Sequence, residues 1–448
     1  MTIKETMDNA LKLAGQTTCV EISQGALKRV PDIFKEYFPG QKAIVVTDLN
    51  TWAAAGEALY NIMNAAGVEC LKYVIEERSF HAEMKYVDLI QGALQQMDAI
   101  ALAVGSGVIN DLCKLASYRL GKKYICIASA ASADGYSASG SAIIFEGAKQ
   151  TFKCDAPLVI IGDVDVLRGA PAHLTVAGYG DLAAKVTCGA EWMIADLFGT
   201  EPINDVVWHV IHDKLPELLA DAQGIADRTP EALEKLFAGL TISGVAMQIA
   251  NGDTRPLSCA EHLYGHILDM TNHEFNGRHP LHGYQVAIGS LTMCAFFDEL
   301  YKYDLTKIDI DKCVEAWPTL EQEQQRAKEM FKNFPVPNLG YEMITKKWQP
   351  KEEIRRQLTL VKENWPEFKK KLQNQTYTFE KMHKLFTTAG APTDPSQIGV
   401  SREKLRKDTD MVQLFRWRIN LFDLAKRAGI YDQLLEGVFG KGGRWEIQ

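Results

Sequence analysis

The sequence lacks several features that mark exported, disulfide-bonded and membrane-bound proteins. Its nine cysteines include no C-x-x-C pair, which is unlike a disulfide scaffold or a zinc site built from thiolates. Its longest apolar runs, such as residues 158–161, are far shorter than the roughly 20 residues that span a bilayer. Residues 1–10 are polar, unlike the apolar core of a signal peptide. We therefore expect a cytoplasmic protein with no membrane span.

Positive charge is also scarce. The 49 basic and 57 acidic residues give a formal net charge of −8, so we expect no nucleic-acid partner bound through counterion release. The content of 46% hydrophobic and 24% charged residues is ordinary for a globular protein. A length of 448 residues exceeds what one hydrophobic core usually supports, which predicts two domains.

The first third of the chain alternates short β-rich runs with helical segments, the pattern of a mostly parallel sheet covered by helices. The predicted strands are residues 43–47, 70–75, 100–104, 124–128 and 158–161. A hairpin formed by residues 142–145 and 150–153, with a tight turn at Glu146-Gly147-Ala148, is predicted before the last strand. This organisation predicts an α/β N-terminal domain over residues 1–172.

Strand patterns nearly vanish after Pro171, and helical periodicity takes over,. The predicted helices include residues 181–197, 232–250, 285–301, 351–373 and 402–428. The sequence therefore predicts an all-α C-terminal domain over residues 173–448.

Two Gly/Ser-rich loops follow predicted strands in the first domain. They are Val104-Gly105-Ser106-Gly107-Val108-Ile109-Asn110-Asp111 and Ser129-Ala130-Ala131-Ser132-Ala133-Asp134-Gly135-Tyr136-Ser137. Small residues let backbone N–H groups approach a pyrophosphate, and a helix N-terminus adds a favourable dipole. An ordinary strand-to-helix turn is the alternative for the first loop taken alone, and two such loops in series favour a ligand site.

Asp48 follows the first predicted strand. Its carboxylate could accept hydrogen bonds from an adenosine ribose and repel a 2′-phosphate. Capping of a helix over residues 51–59 is the equally supported alternative.

Histidines are concentrated in one short part of the second domain. Five of the ten histidines lie between His262 and His282, and His262 and His266 are four residues apart, which places them on one face of a helix. Asp181 follows Gly178-Tyr179-Gly180, where we expect either a ligand-accessible carboxylate at a helix entrance or an N-cap. One carboxylate and two imidazoles without thiolates suit a catalytic divalent ion such as Zn²⁺, Ni²⁺, Fe²⁺ or Mn²⁺.

These residues, in this order, resemble the dehydroquinate-synthase-like superfamily, which includes iron-type alcohol dehydrogenases, glycerol dehydrogenases and sn-glycerol-1-phosphate dehydrogenases. Within it the sequence is most similar to the bacterial glycerol-1-phosphate dehydrogenases of the arabinose-operon type. The likeness covers most of the chain, and the combination of motifs is specific although no single motif is. The motifs are Thr47-Asp48-Leu49-Asn50-Thr51, Gly105-Ser106-Gly107 with Asn110-Asp111, Asp134-Gly135-Tyr136, Ala389-Gly390-Ala391-Pro392 and Arg416-Trp417-Arg418.

The resemblance implies a Rossmann-like dinucleotide-binding domain, a helical metal- and substrate-binding domain, and an active site in the cleft between them. It implies an enzyme that uses NAD or NADP and one divalent metal ion (Zn, Ni or Fe) to interconvert dihydroxyacetone phosphate and sn-glycerol 1-phosphate. A homodimer is expected on the same ground.

The resemblance also implies roles for individual residues. Asp181, His262 and His282 would bind the metal, and Asp134, Asp181 and His266 would act on the substrate. The residues implied in dinucleotide binding are Asp48, Gly105, Ser106, Gly107, Val108, Ile109, Ser129, Ala130, Ala131, Ser132 and Ser137.

The sequence departs from the family pattern at three positions. Ser106 replaces a common glycine and Ser129 a common threonine, and both remain small. Ala138 occupies the position where a serine is expected, and an alanine cannot supply that hydroxyl contact to the cofactor. Lys185 is a candidate partner for a substrate phosphate, and a lysine on the helix surface is the alternative.

Three other functions fit the same motifs. A glycerol or alcohol dehydrogenase of this fold would share the metal and cofactor residues. A dehydroquinate-synthase-like cyclase would use the same frame with no net consumption of NAD, and a ligand-sensing protein would retain only the pocket.

Overall fold

The computed structural model describes residues 1–146 and 148–447. The chain forms two compact units, and neither is one continuous stretch of sequence. The first comprises Met1–Leu182 and Val206–Thr254, and the second comprises Ala183–Asp205 and the chain from Arg255 onward. This division differs from the predicted single boundary after residue 172, because residues 206–254 pack within the first unit.

The first unit contains a sheet of six parallel strands. They are β1 Cys19–Ser23, β2 Lys42–Asp48, β3 Cys70–Ile75, β4 Ala99–Gly105, β5 Ile125–Ala128 and, after the hairpin strands β6 Ser141–Phe145 and β7 Ala148–Phe152, β8 Val159–Asp163. Their order across the sheet is β1-β8-β5-β4-β2-β3. Strands β4, β5 and β8 are buried along their whole length, as expected for the interior of a parallel sheet covered on both faces.

The five predicted strands of this sheet are confirmed, with ends that differ by at most two residues. Strand β1 was not predicted. It lies at the edge of the sheet beside β8, and each of its five residues is half-buried. Its sequence, Cys-Val-Glu-Ile-Ser, has neither a continuous apolar run nor a clean alternation of apolar and polar residues.

The predicted hairpin is also confirmed, since β6 and β7 pair antiparallel from Ser141 opposite Phe152 to Phe145 opposite Ala148. Gly147 of the predicted turn lies outside the described residues.

Helices make up most of the remaining chain. In order, they are α1 Ile3–Ala14, α2 Val30–Tyr37, α3 Leu49–Thr51, α4 Glu57–Ala65, α5 Met84–Met97, α6 Gly107–Arg119, α7 Val164–Gly169, α8 Ala172–Ala183, α9 Lys185–Phe198, α10 Asp205–His212, α11 Leu215–Leu219, α12 Ala222–Asp227, α13 Pro230–Ile249, α14 Ala260–Met270, α15 His282–Leu300, α16 Ile310–Ala316, α17 Leu320–Phe331, α18 Leu339–Lys347, α19 Lys351–Gln375, α20 Phe379–Ala389, α21 Arg402–Phe415, α22 Leu421–Arg427 and α23 Tyr431–Phe439. None of the helices described combines the length and the apolar character that a membrane crossing requires.

Helix α13 belongs to the first unit because its apolar side chains pack there. Ile242 and Val245 form a buried cluster with residues of α1, namely Met7, Ala10 and Ala14. The side chain of Gln248, next to the end of α13, accepts a hydrogen bond from the Thr17 N–H at 3.1 Å. Because it buries its apolar face in this way, α13 is part of the first unit, although it begins almost sixty residues after the predicted domain boundary.

As far as residue 447, the second unit is built of helices and their connections, which confirms the predicted all-α part. Two segments that were each predicted as one continuous helix are interrupted. The segment 181–197 is divided between the end of α8 and α9, and the segment 402–428 is interrupted after Phe415. The second break occurs because Asn420 caps α22, accepting hydrogen bonds from Phe422 N–H and Asp423 N–H,.

Candidate metal centre and dinucleotide site

The two Gly/Ser-rich loops lie side by side at the carboxyl edge of the sheet. Gly105, the last residue of β4, is in register with Ala128, the last residue of β5. The Ser129 N–H donates to the Gly105 carbonyl at 3.0 Å. Strand β4 lies between β5 and β2, and β2 ends at Asp48. Asp48 and both loops therefore follow three adjacent strand ends, the edge at which open α/β sheets bind ligands.

The first loop presents backbone at the start of α6. Ser106 is the N-cap and makes no side-chain capping bond, while Ser106, Gly107 and Val108 are half-buried and Ile109 is buried. A Cβ added at Gly107 would meet no atom within 4 Å. No neighbour in the fold forbids a side chain there, so the glycine leaves open space beside the helix N-terminus, where a phosphate would be favoured.

The second loop packs closely against α8. A Cβ at Gly178 would lie only 2.0 Å from the Ala131 carbonyl oxygen, so only glycine allows this approach. Ala130 and Ala131 are buried, and the Tyr136 hydroxyl donates to the Ala130 carbonyl at 2.6 Å. These contacts fix the loop against α8.

The predicted cofactor residues of this loop occupy different positions. Ser132 is half-buried and Ser129 is near the limit of burial, and both remain candidates. Ser137 is fully buried and its hydroxyl donates to the Thr241 carbonyl at 2.7 Å. The structure therefore places Ser137 against α13 and does not bring its hydroxyl to the loop surface.

Two residues of α6 that carry no predicted role hold the second loop in place. The buried Lys114 ammonium donates to the carbonyls of Gly135 at 3.1 Å, Ala138 at 2.9 Å and Gly140 at 3.0 Å. The Asn110 amide points to the same loop and accepts from the Tyr124 hydroxyl at 2.9 Å. Asn110 and Lys114 are four residues apart, which places both on one helix face. This spacing was the one feature of the sequence that could have indicated their contact with the second loop.

Asp48 performs the capping role that we considered as an alternative. Its Oδ1 accepts from the Asn50 N–H at 2.7 Å and from the Thr51 N–H at 2.8 Å, at the start of α3. Both bonds use the same oxygen. Capping therefore does not exclude a ribose contact through Oδ2.

In the second unit, α14 and α15 bring three histidines together. His262 and His266 lie one turn apart on α14, and His282 is the first residue of α15, as predicted. The ring centroid of His282 is 5.5 Å from that of His262 and 6.1 Å from that of His266. The two helices touch closely, since a Cβ at Gly289 would lie 2.1 Å from the Glu261 carbonyl oxygen.

Asp181, His262 and His282 form a group that could hold a metal ion. Each offers one ligand atom, and these atoms all lie within 4.8 Å of one another. Asp181 and His262 are buried, and His282 is half-buried. A buried carboxylate with two imidazoles is costly unless the charge is compensated, and a divalent cation would compensate it.

One expectation for Asp181 is wrong. It lies in the last turn of α8, which ends at Ala183, and is neither at a helix entrance nor an N-cap. Its Oδ2 accepts from the Asp134 N–H at 3.0 Å. Asp134, which is half-buried, is thereby tied through its backbone to the predicted metal ligand.

Glu261 was missed in the sequence, although it immediately precedes His262. It is fully buried, and its Oε1 lies 2.8 Å from His262 Nδ1. The same oxygen accepts from the Cys259 N–H at 2.8 Å, and Oε2 lies 3.5 Å from the Thr187 hydroxyl. A carboxylate on one ring nitrogen fixes the orientation of the ring and leaves Nε2 available as a metal ligand.

A second buried glutamate supports the start of α14. Glu191 accepts from the Ala260 N–H at 2.8 Å and from the Leu421 N–H at 2.9 Å. Burial, together with the nearby charge of Glu261, raises the pKa of the Glu191 carboxyl to about 8. The start of α14, which carries His262, is thus anchored by the carboxyl group of Glu261 at Cys259 N–H and by that of Glu191 at Ala260 N–H.

The other histidines of the cluster are arranged differently. His266 is half-buried and its ring stacks on Phe415, with centroids 6.4 Å apart and planes at 10°. His273 Nε2 lies 2.8 Å from the Ile398 carbonyl, and His279 Nδ1 lies 3.0 Å from the His273 carbonyl. His273 and His279 therefore contact backbone and do not belong to the ligand group.

Lys185 is not a surface residue, so that alternative is wrong. It is the first residue of α9 and is fully buried.

Comparison with known proteins places these features in a family. The family of iron-containing alcohol dehydrogenases matches residues 21–171. A glycerol-1-phosphate dehydrogenase (NAD(P)+) of Halalkalibacterium halodurans is 33% identical over 267 residues, which are 59% of this chain and 65% of that protein. One from Bacillus velezensis is 31% identical, with 58% and 65% covered. The chain thus spans about 65% of the length of these two relatives.

Solved structures share the fold. A probable glycerol dehydrogenase of Sinorhizobium meliloti superimposes with a TM-score of 0.58 at 13% identity, covering 93% of this chain and 96% of that one. The glycerol dehydrogenase of Schizosaccharomyces pombe gives 0.52 at 18% identity, with 81% and 93% covered. At these identities the likeness establishes the fold alone.

A further relative decides the family. The glycerol-1-phosphate dehydrogenase (NAD(P)+) of Methanosarcina mazei is 30% identical over 275 residues, which are 61% of this chain and 75% of that protein. The chain therefore belongs to the glycerol-1-phosphate dehydrogenase family, whose fold is that of the iron-containing alcohol dehydrogenases.

Proposed function

We propose that this protein is an NAD(P)-dependent dehydrogenase that interconverts dihydroxyacetone phosphate and sn-glycerol 1-phosphate with the help of one divalent metal ion. The observation that carries the proposal is the group formed by Asp181, His262 and His282 in a chain whose relatives are named glycerol-1-phosphate dehydrogenases.

The donor set fits a divalent cation that keeps open positions for substrate. One carboxylate and two imidazoles leave room for substrate oxygens, which is typical of catalytic metal sites and not of closed structural ones. Glu261 engages His262 Nδ1, so Nε2 of that ring is the nitrogen assigned to the metal. An ion bound there would act as a Lewis acid on the substrate carbonyl.

The reduction adds a hydride to the carbonyl carbon and a proton to the carbonyl oxygen, and a bound NAD(P)H would supply the hydride. We assign proton delivery to the His266 imidazole, because it is half-buried and lies one turn from His262,. Asp134 is assigned to the substrate side, since its backbone N–H already holds Asp181 Oδ2. Lys185, four residues after Asp181, is the assigned partner of the substrate phosphate.

The edge formed by the ends of β2, β4 and β5 is assigned to the dinucleotide. The loop from Gly105 to Ile109 would hold the pyrophosphate by its backbone N–H groups, and Ser129 and Ser132 would supply hydroxyls. Buried Lys114 holds the second loop in place by contacts within the protein, so we expect a site that is largely preformed. A preformed site loses less conformational entropy on binding.

The experiment that tests the proposal measures oxidation of reduced nicotinamide. Enzyme treated with a chelator is reconstituted separately with Zn²⁺, Ni²⁺, Fe²⁺ and Mn²⁺, and each form is given dihydroxyacetone phosphate, dihydroxyacetone or the precursor of dehydroquinate. Metal-dependent turnover of dihydroxyacetone phosphate alone supports the proposal.

Two other outcomes would reject it. Turnover of the free ketone alone would make the protein a polyol dehydrogenase. No oxidation with any substrate, despite bound metal, would exclude a dehydrogenase acting on these compounds and favour a cyclase or a sensor. The cytoplasmic location, the homodimer and the identity of the metal stay predictions.

A further inference from the structure

Arg78 lies beside the predicted ribose-binding carboxylate. It follows β3, which pairs with β2 in the sheet, and Asp48 is in register with Ile75 at the ends of the two strands. The Arg78 Nη1 group donates to Asn50 Oδ1 at 3.0 Å, and the Asn50 side chain donates back to the Arg78 carbonyl at 2.8 Å. The Asn50 N–H in turn donates to Asp48 Oδ1, the capping oxygen of α3, at 2.7 Å. Asn50 therefore joins Arg78 and Asp48.

Most of the hydrogen-bonding capacity of these two charged groups is unused by the protein. Within residues 1–146 and 148–447, the Arg78 guanidinium contacts only Asn50, so four of its five N–H groups make no bond to protein. Asp48 uses only Oδ1 for both of its capping bonds. The Arg78 side chain is exposed and that of Asp48 is half-buried, so a ligand could reach both.

The chemistry of the pair suits a ribose that carries either a hydroxyl or a phosphate. A carboxylate after this strand accepts hydrogen bonds from the ribose 2′-hydroxyl of NAD and repels a 2′-phosphate, whereas an arginine nearby accommodates that phosphate. Planar guanidinium groups bind phosphate through two parallel hydrogen bonds. Having both groups at one edge would allow both dinucleotides to bind.

We infer that Arg78 is the residue that admits NADP(H), by binding its 2′-phosphate while Asn50 holds the guanidinium next to Asp48. The inference rests on the proposed dinucleotide site. It assigns Arg78 a role in cofactor choice and none in the binding of NAD(H).

A purely structural role is the competing explanation, because the two Arg78–Asn50 bonds also connect the loop after β3 to the start of α3. A structural role predicts that a substitution of Arg78 lowers the affinity for both cofactors by the same factor. Binding of a 2′-phosphate predicts a loss for NADP(H) alone, and an affinity that falls more steeply with salt for NADPH than for NADH.

The test is fluorescence titration of full-length enzyme with NADH and with NADPH, at low and at physiological salt. The variants are Arg78→Met, Arg78→Lys and the control Arg29→Met. Arg29 is also exposed and pairs with Glu21 on β1, at the opposite edge of the sheet from β3.

Arg78→Met should weaken the binding of NADPH about tenfold or more, which corresponds to the loss of a charge-assisted hydrogen bond. The affinity for NADH should be unchanged, and the binding of NADPH should no longer depend on salt more steeply than that of NADH. Arg78→Lys should retain part of the affinity, and Arg29→Met should resemble wild type. The inference would be overturned if Arg78→Met lost affinity equally for NADH and NADPH, or if it kept the wild-type ratio of the two affinities. It would also be overturned if wild type bound NADH but not NADPH, and none of these results would reject the proposed function. A wild type that binds neither dinucleotide would overturn the proposed function as well.

Discussion

The two candidate regions of this protein are built in different ways. At the sheet edge of the first unit, the groups offered to a ligand are mainly backbone and small side chains, set by strand ends and by the glycines at 107 and 178. In the second unit, His262 is oriented by a buried carboxylate, Glu261, which is itself bonded to the backbone. The first region therefore depends on open space beside the backbone, and the second depends on a network of charged side chains.

The loss of a metal ligand should affect the protein more than any other single substitution considered. His282→Ala removes one of three donors, and we expect loss of bound metal and a fall in turnover of about 1,000-fold, since metal polarisation supplies several kcal/mol of transition-state stabilisation. Elemental analysis of the purified protein and the NADH-oxidation assay measure the two effects.

The matched control is His279→Ala, which removes a half-exposed histidine that contacts the His273 carbonyl. It should keep metal and turnover near wild type. Full metal content and full turnover in His282→Ala would show that the histidine group is not the metal site.

Glu261→Gln sharpens the role of the network in the second unit. The amide keeps the size of the side chain but removes the charge next to His262 Nδ1, and we expect a metal affinity about 10- to 100-fold weaker. Titration of Zn²⁺ against a competing chelator measures it.

Glu323→Gln is the control, because it changes another buried glutamate, which contacts Arg326. If Glu261→Gln bound Zn²⁺ as tightly as wild type, Glu261 would have no part in orienting the ligand.

Gly107→Ala sharpens the role of space in the first unit. The added methyl group meets no protein atom, so the thermal midpoint should be unchanged or slightly higher, while dinucleotide affinity should fall about tenfold as one close backbone contact is lost. Calorimetry and fluorescence titration separate the two effects.

Gly92→Ala provides the comparison, since this exposed glycine inside α5 also has open space around it. It should change stability slightly and leave cofactor binding alone. Unchanged NADH affinity in Gly107→Ala would contradict the placement of the pyrophosphate.

The smallest expected effect is a pH dependence of stability in the second unit. The folded protein keeps the Glu191 proton up to a pKa of about 8, against an ordinary value of 4.5. The unfolded chain loses that proton at lower pH, so unfolding releases a proton and the free energy of unfolding falls as pH rises from 5 to 8.

Glu191→Gln should reduce this fall, as measured by urea unfolding at several pH values in chelated protein. A wild type and a variant with the same slope between pH 5 and 8 would contradict the account of Glu191.

The interior of the sheet was predictable because buried parallel strands are nearly continuous apolar runs, as in β4, all of whose residues are buried,. Strand β1 escaped prediction because an edge strand with half-buried residues has no such run. The positions of the histidines were likewise predictable from helical spacing and from the glycine after His282.

The remaining parts depend on contacts between distant residues. Asp181 was expected at the start of a helix because glycines precede it, whereas Gly178 lies inside α8 to admit the Ala131 carbonyl, 47 residues earlier in the chain. The burial of Glu261 depends on packing against Thr187 and α15. The link between Asn50 and Arg78 spans 28 residues, and no local pattern indicates it.

Metal-dependent catalysis is decided by the rate of NADH oxidation with dihydroxyacetone phosphate in enzyme treated with a chelator. The rate is measured before and after a divalent ion is restored, for wild type and for His282→Ala. The account predicts negligible turnover in chelated wild type, recovery with Zn²⁺ or Ni²⁺, and no recovery in the variant at the same metal concentration. If metal-free wild type oxidised NADH as fast as the reconstituted enzyme, this result would contradict the account.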